Sequence, residues 1–582
     1  MMILRPEFSA RLVTATDRLA NKSSATMTPA FIAVTVLAIL WLVGLEHRDL
    51  FDPDEGRYAE IAREMLRTGD WITPRLNGIP YFEKPPLQYW ITAVFFDLFG
   101  IGRWTARLWP ALCGLMTIAL VMLSTRRICD ARGGLMAGFA LAGTPLFFAF
   151  SQTVTLDLGV TFFLTLVMSS FLAIHDSRLS ERRRTAWALL LWAAMALAVL
   201  SKGLIGVALP GLTLVLYCVV QRDLSALKRL HWGPGIIVFA VIAAPWFVLA
   251  QARHPPFLEF FVLHEHIARF TQAAHKRPGA WYFFPAVLAL GTLPWAVVFA
   301  RSLNDGLRAR TSGPLWINAP RLLAIWVLGI TGFFMMSSSK LPAYVLPVLP
   351  ALAILMGWSL RRVRGRGVPK IGIGMLVIGG LIVGLAPWAQ RLPRLATIEG
   401  AGAPLTGWLV LAGLLLAVTG VFSARMIRRP TANVMFCAFG TVVAMQAIQM
   451  GVQSVASVYS SAILVATARE RANGFDTDAR FYSVGMYDQT LVLQIDRLVT
   501  LVAYEDEFSF GLKQEPHWAI SDLADFRQKW IGSSQAYAML PTDRVALHTD
   551  AGLPFVVLAS NGREAIIART AAQRAQPEVI RP

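Results

Sequence analysis

Thirteen stretches of this 582-residue chain contain no charged side chain: 30–45, 108–125, 134–154, 158–174, 186–201, 203–220, 235–251, 280–300, 322–339, 341–360, 371–390, 405–423 and 434–453. Most come close to the ~20 apolar residues that cross a bilayer as a helix. Only 15% of the residues are charged and 55% are hydrophobic, whereas soluble domains carry about 25% charged residues. The chain reads as a polytopic all-α membrane protein. A net charge of +18 does not point to nucleic acid, because there is no zinc-finger spacing and no basic region interleaved with stacking aromatics. Excess Lys and Arg beside the cytoplasmic ends of spans accounts for it. The four cysteines have neither metal-ligand spacing nor a disulfide framework.

Charge also sets the expected orientation. A fourteenth apolar stretch, 88–101, is short and contains Asp97. If it lies at the membrane interface, the basic clusters at 126–132, 178–184, 222–229, 301–321, 361–370 and 425–429 all fall on one side. That side is the cytoplasm by the positive-inside rule. Arg5, Arg11, Arg18 and Lys22 precede the first run, and no small-residue cleavage site follows it. We read a retained first span with a cytoplasmic N-terminus. Thirteen spans then leave the C-terminal region outside. The expected domains are a transmembrane one over 1–453, with an outer loop over 46–107, and a small α/β one over 454–582. In the latter, "RFYSVGMY", "RLVTLVAY", "QAYAMLP", "LPFVVLAS" and "EAIIART" read as strands, and 457–473 and 521–530 as helices.

Within the outer loop, "FDPDEGRYAEIAREML" reads as a helix start. Asp52 fits an N-cap, Pro53 the first helical position and Glu55 the N3 partner of a capping box. Tyr58, Ile61, Ala62 and Met65 form one apolar face. Asp54 is left over. Taken singly, Lys202 and Lys340 read as ends of short turns, and Asp157 as a turn residue or N-cap. His264 and His266 lack the H-E-x-x-H spacing of a metalloprotease. Together they suggest more. Arg57, Lys84, Lys202, Arg269 and Lys340 place cations on the face where positive charge is normally depleted. An anionic head group explains them, and phosphate is the natural candidate. Asp54, Asp157 and Glu83 add acids, which an active site needs and a lipid anchor does not. A lipid transporter fits less well, because the spans carry no charge at mid-membrane.

"DPDEGRYAEIAREMLRTGDWITPRLNGIPYFEKPPLQYW", with "SKG" and "LPAYVLP", resembles the C-type-fold glycosyltransferases of the dolichyl-phosphate-mannose mannosyltransferase-like group. The likeness covers essentially the whole chain and is nearest to the 4-amino-4-deoxy-L-arabinose transferases of lipid A. It implies a pentosyltransferase of the bacterial inner membrane, monomeric, with a periplasmic active site. The implied donor is an undecaprenyl-phosphate-linked amino sugar and the acceptor lipid A; protein O-glycosylation is the alternative. By the same resemblance, Asp54 is the main catalytic carboxylate and Asp157 a second. Lys84, Arg269 and Tyr344 match positions that hold the lipid phosphate, and Arg57, Tyr58, Tyr81, Lys202 and Lys340 complete the substrate surface. Glu83 and His264 match a possible divalent-metal pair for zinc, magnesium or manganese, two ligands where zinc usually has three or four.

Overall fold

The computed structural model describes residues 29–268, 279–310, 314–362, 369–391, 402–426, 428–550 and 552–569. Each of the thirteen apolar stretches is helical there. Eight are helices long and apolar enough to cross a membrane, from Arg103–Ile128 to Pro430–Gln453. Two more are bent pairs, Ala131–Ala142 with Pro145–Ser151 at 67°, and Phe283–Gly291 with Ala296–Leu307 at 116°. Both breaks contain a proline, Pro145 or Pro294, which removes a backbone donor and obstructs the preceding turn. Pro29–Val43, Ile205–Gln221 and Ala319–Met335 are shorter. Leu87–Phe99, the interfacial candidate, has 13 residues and extends only about 20 Å. The first helix belongs to a separate unit, residues 1–44; everything described next lies in the unit 45–582.

The C-terminal region forms a six-stranded sheet whose strands, from one edge to the other, are Ala519–Ile520, Thr500–Val502, Arg480–Val484, Ala536–Pro541, Glu564–Arg569 and Val556–Ser560. Strands β3 (Arg480–Val484), β4 (Thr500–Val502), β5 (Ala519–Ile520) and β6 (Ala536–Pro541) run parallel. Strands β7 (Val556–Ser560) and β8 (Glu564–Arg569) complete it in antiparallel fashion. The five expected strands are present. The two-residue β5 had too little alternation to be read.

Alternating residues send the sheet to two cores, as a pleated strand must. Tyr482, Val484, Val502 and Leu540 pack with Phe526 and Trp530. Phe481, Leu501, Met539 and Ile566 share a core with Tyr58, Ile61, Ala62 and Met65 of the outer-loop helix Asp54–Thr68. That helix therefore buries its expected apolar face, and it does so within the core of the C-terminal sheet. Gly56 is required there: a Cβ would stand 2.5 Å from the Gln489 backbone oxygen. A hairpin of β1 (Arg75–Leu76) and β2 (Ile79–Pro80) turns at Asn77-Gly78, both at positive φ. Asn-Gly suits such a turn. The Asn77 side chain donates to the Val499 oxygen and accepts from its N–H, both at 2.8 Å.

Glu55 fixes the loop from the membrane side. Its buried carboxylate accepts from Arg107 Nε at 2.8 Å and Nη2 at 3.0 Å, from Arg48, and from the N–H groups of Phe51 and Val154. The capping box is thus corrected. The helix begins at Asp54 after Pro53 with no side-chain cap, and Asp52 accepts instead from the Gln489 N–H at 2.9 Å. Burial alone would raise the pKa of Glu55, but Arg107 and Arg48 overcome it and hold it at about 2. A carboxylate so depressed stabilises the fold fully above its ordinary ~4.3, and the effect is lost as pH falls through the folded value. Glu55→Gln leaves two buried guanidiniums uncompensated and is expected to cost about 3–5 kcal/mol. Thermal unfolding of the detergent-solubilised protein reads this loss, and the gap from wild type should narrow as pH falls from about 4 towards 2.

Candidate active site

The first turn of helix Asp54–Thr68 carries Asp54 and Glu55 in opposite settings. Glu55 is buried, whereas the Asp54 carboxylate is 48% exposed and faces Arg57 Nη1 at 3.6 Å. Its neighbour Asp52 is enclosed, near Asp488 and Arg563. Burial first, and then the Asp488 charge, push the Asp52 pKa up to about 6. The three acids of the motif therefore do three jobs: Asp52 meets the C-terminal region, Glu55 locks the loop, and Asp54 faces outward beside a cation.

Arg57, on the same helix, lies 3.4 Å from Glu507 and 6.0 Å from the Tyr81 ring centre. Tyr58 and Tyr89 approach to 5.9 Å between ring centres. Burial pushes the Tyr58 and Tyr81 hydroxyls well above their usual range, so both stay neutral. The buried Tyr81 and Tyr89 hydroxyls and Arg57 Nε have no hydrogen-bond partner among the described residues.

Asp157 occupies the first turn of Leu156–Ile174, three residues past the Val154 N–H that Glu55 holds. It forms an ion pair with Lys202, in the last turn of Glu181–Lys202. The Lys202 ammonium lies 5.5 Å from the ring centre of Tyr344, which packs on Phe334 and Phe284. Asp157, Lys202 and Tyr344 are therefore brought together. Lys340 donates to the Ser337 carbonyl oxygen at 2.9 Å, the turn-end role open to it from sequence.

Lys84 follows the hairpin. Its ammonium pairs with Glu265 at 3.0 Å and stands 3.9 Å from Glu83. Glu265 is buried within the wide helical turn Phe260–Ala268 and lies 3.3 Å from His264 Nδ1. His264 is half-exposed and stacks on Phe260. Arg269 lies outside the described residues. Among those described, no group of three or more His, Cys, Asp or Glu side chains is placed to hold a metal ion. Of the two residues matched to a metal pair, Glu83 has the Lys84 ammonium near it and His264 faces the Glu265 carboxylate.

Sequence reasoning missed Glu265 and Glu507. Glu265 lies between two histidines in "HEHIARF", where no spacing sets it apart. Glu507 lies in "YEDEF" at the end of a strand, where an acidic run normally signals only a solvated turn.

A family model for dolichyl-phosphate-mannose-protein mannosyltransferase matches residues 26–261. One for the aminoarabinose transferase C-terminal domain matches 467–569. A crystal structure of ArnT from Cupriavidus metallidurans bound to undecaprenyl phosphate superimposes with a TM-score of 0.87 at 33% identity, covering 94% of this chain and 99% of that one. The chain belongs to the ArnT family. The undecaprenyl phosphate-alpha-4-amino-4-deoxy-L-arabinose arabinosyl transferase of Edwardsiella ictaluri is 33% identical over 65% of this chain and 67% of its own length. The protein of the same name from Pseudomonas aeruginosa (strain LESB58) is 33% identical over 62% of this chain and 64% of its own. Like other ArnT-family proteins, this one is a multi-pass membrane glycosyltransferase of the C-type fold with an α/β C-terminal region.

The site separates neighbouring acids by their surroundings. Asp54→Asn keeps the shape and removes the outward charge, so it should abolish transfer while leaving the melting temperature unchanged. Asp52→Asn, at the buried contact with Gln489, should shift the melting temperature and spare more of the turnover. Parallel unfolding and transfer assays on the two purified variants read both effects. Near-normal transfer in both would return Asp54 to a helix-start role.

Proposed function

We propose that this protein transfers 4-amino-4-deoxy-L-arabinose from undecaprenyl phosphate to phosphate groups of lipid A, at the periplasmic face of the inner membrane. The single observation that carries the reading is the likeness over almost the full chain to ArnT bound to undecaprenyl phosphate. Asp54 and Asp157, from distant segments, both act on the buried Tyr58 hydroxyl, and Lys202 and Tyr344 stand at Asp157; this meeting supports the reading.

In this reading an acceptor phosphate oxygen attacks the sugar's anomeric carbon. The bond from that carbon to the donor phosphate oxygen breaks, and its electron pair stays on undecaprenyl phosphate. Lys84 stabilises the charge appearing there. A phosphate monoester loses its second proton near pH ~6, so the acceptor is already a dianion in much of the population at neutral pH. Asp54 then has three roles open to it: taking a residual proton, orienting the acceptor, or pairing with the sugar's ammonium.

Mass spectrometry of lipid A from cells with and without the gene tests the acceptor. An aminoarabinose-sized adduct on lipid A supports the reading; the adduct on envelope proteins instead overturns it. Lys84→Ala loses a charge-assisted bond worth roughly 1.5–3 kcal/mol. Titration of the purified variant with undecaprenyl phosphate should show affinity about ten- to a hundredfold weaker. Orientation follows the basic loops. Cysteines placed at Arg126 and Arg361 should react only with membrane-permeant reagents, and one at Ser521 with impermeant ones. Labelling at Arg126 from outside would make Leu87–Phe99 a span.

A further inference from the structure

The contact between Arg57 and Glu507 joins the two ends of the molecule at the reacting surface. Arg57 belongs to the outer-loop helix and Glu507 to the turn after β4, 450 residues later. The turn is built with unusual backbone: Ala503 and Asp506, neither of them glycine, have φ of 50° and 22°. Such conformations are costly for residues with a Cβ and persist where surrounding structure fixes them. Here Phe508 fixes the turn, fully buried and packed edge-on against Tyr487 at 4.9 Å. The result is a Glu507 side chain only 9% exposed and aimed at the outer-loop helix.

Once there, the carboxylate is held from three sides. Tyr504 donates its hydroxyl at 3.1 Å, the Gln489 amide donates to the other oxygen, and Arg57 Nη2 approaches to 3.4 Å. Gln489 is the residue whose backbone packs against Gly56 and whose N–H binds Asp52. Gln489, at Asp52 and Gly56, and Glu507, at Arg57, thus together grip the start of the outer-loop helix. The Arg57 guanidinium is pinned at one end by Glu507 and at the other by Asp54. Its buried Nε remains without a partner among the described residues, next to the Tyr81 ring.

We propose that Glu507 is a positioning residue for the transfer reaction: it sets the orientation of Arg57, and through it of Asp54, so that the C-terminal region completes the active site. The proposal rests on the glycosyltransferase reading for its consequence, not for its geometry. A planar guanidinium released from one of its two anchors swings about its long flexible stem. A displacement of about 1 Å in a substrate-facing group costs on the order of a hundredfold in rate.

The test compares purified wild type, Glu507→Gln, Arg57→Met and the double variant. Glu507→Gln keeps the acceptor oxygen for Tyr504 and removes the charge that holds Arg57. Its turnover should fall ten- to a hundredfold, with affinity for undecaprenyl phosphate at the wild-type value. In the Arg57→Met background the same substitution should change turnover by less than twofold, since there is no guanidinium left to orient. Turnover of Glu507→Gln within twofold of wild type overturns the proposal, as does an equal proportional loss in both backgrounds. Rates are taken on whichever glycosylated product the wild type forms, so a wild type that leaves lipid A unmodified refutes only the acceptor assignment. Independently of any product, phenylglyoxal should modify Arg57 faster in Glu507→Gln, read by peptide mass spectrometry. An unchanged rate of modification there also overturns the proposal.

Discussion

A buried carboxylate between two guanidiniums organises this protein. Glu55 meets Arg48 and Arg107 with no water-exposed surface to speak of, so each charge depends on the others to offset its desolvation. Its remaining capacity goes to backbone N–H groups of Phe51 and Val154. Those contacts tie the outer loop to the helix Arg103–Ile128 and to the turn before Asp157. Asp54 precedes Glu55 and Asp157 follows Val154 by three residues, so one polar knot sets where both candidate acids stand. A loop of apolar contacts alone would slide. Directional bonds to a fixed carboxylate allow only one register.

The second wall of the site comes from the C-terminal sheet. Its pleat divides its apolar residues between its own helices and the outer-loop helix, so the loop has no core of its own to fold around. This explains why a motif so close to the membrane carries Gly56: the Gln489 backbone lies where a side chain would begin. It also explains why Asp52 is spent on an amide 437 residues away. The compact pairing of a membrane motif with a soluble sheet makes the boundary near residue 454 a change of composition more than a division between independent bodies.

What could be read beforehand follows from the range of each interaction. The spans were legible because a charge-free run must be helical in hydrocarbon, where no other backbone arrangement satisfies its polar groups. Strands β3, β4, β6, β7 and β8 announced themselves by alternation. Asp54, Arg57, Lys84, Asp157 and Lys202 stood out because ionisable groups gathered on the outer face need a reason. The capping box failed because local rules assume local partners. Asp52 and Glu55 had a plausible partner three residues apart, but stronger ones waited at Gln489, Arg48 and Arg107. Glu507 and Glu265 had no local signature at all. Each is recognised only by the cation it meets, and those meetings exist only in the fold.

Among the described residues, three of the cations at this surface are not bare. Lys84 is matched with Glu265, Lys202 with Asp157, and Arg57 with Asp54 and Glu507. A cluster of unpaired Lys and Arg at a membrane surface attracts any anionic head group within a Debye length, with little regard to shape. Pairing cancels most of that long-range field and leaves short-range, directional donors. An incoming phosphate must then compete with a carboxylate already in contact, and it does so only by offering better geometry and more acceptor oxygens. In the proposed reaction the sugar-bearing donor is a phosphate diester, like the abundant anionic lipids, and the undecaprenyl phosphate left behind is a monoester. Breaking the sugar bond therefore frees one more acceptor oxygen, and the paired cations gain their best partner only as the bond breaks.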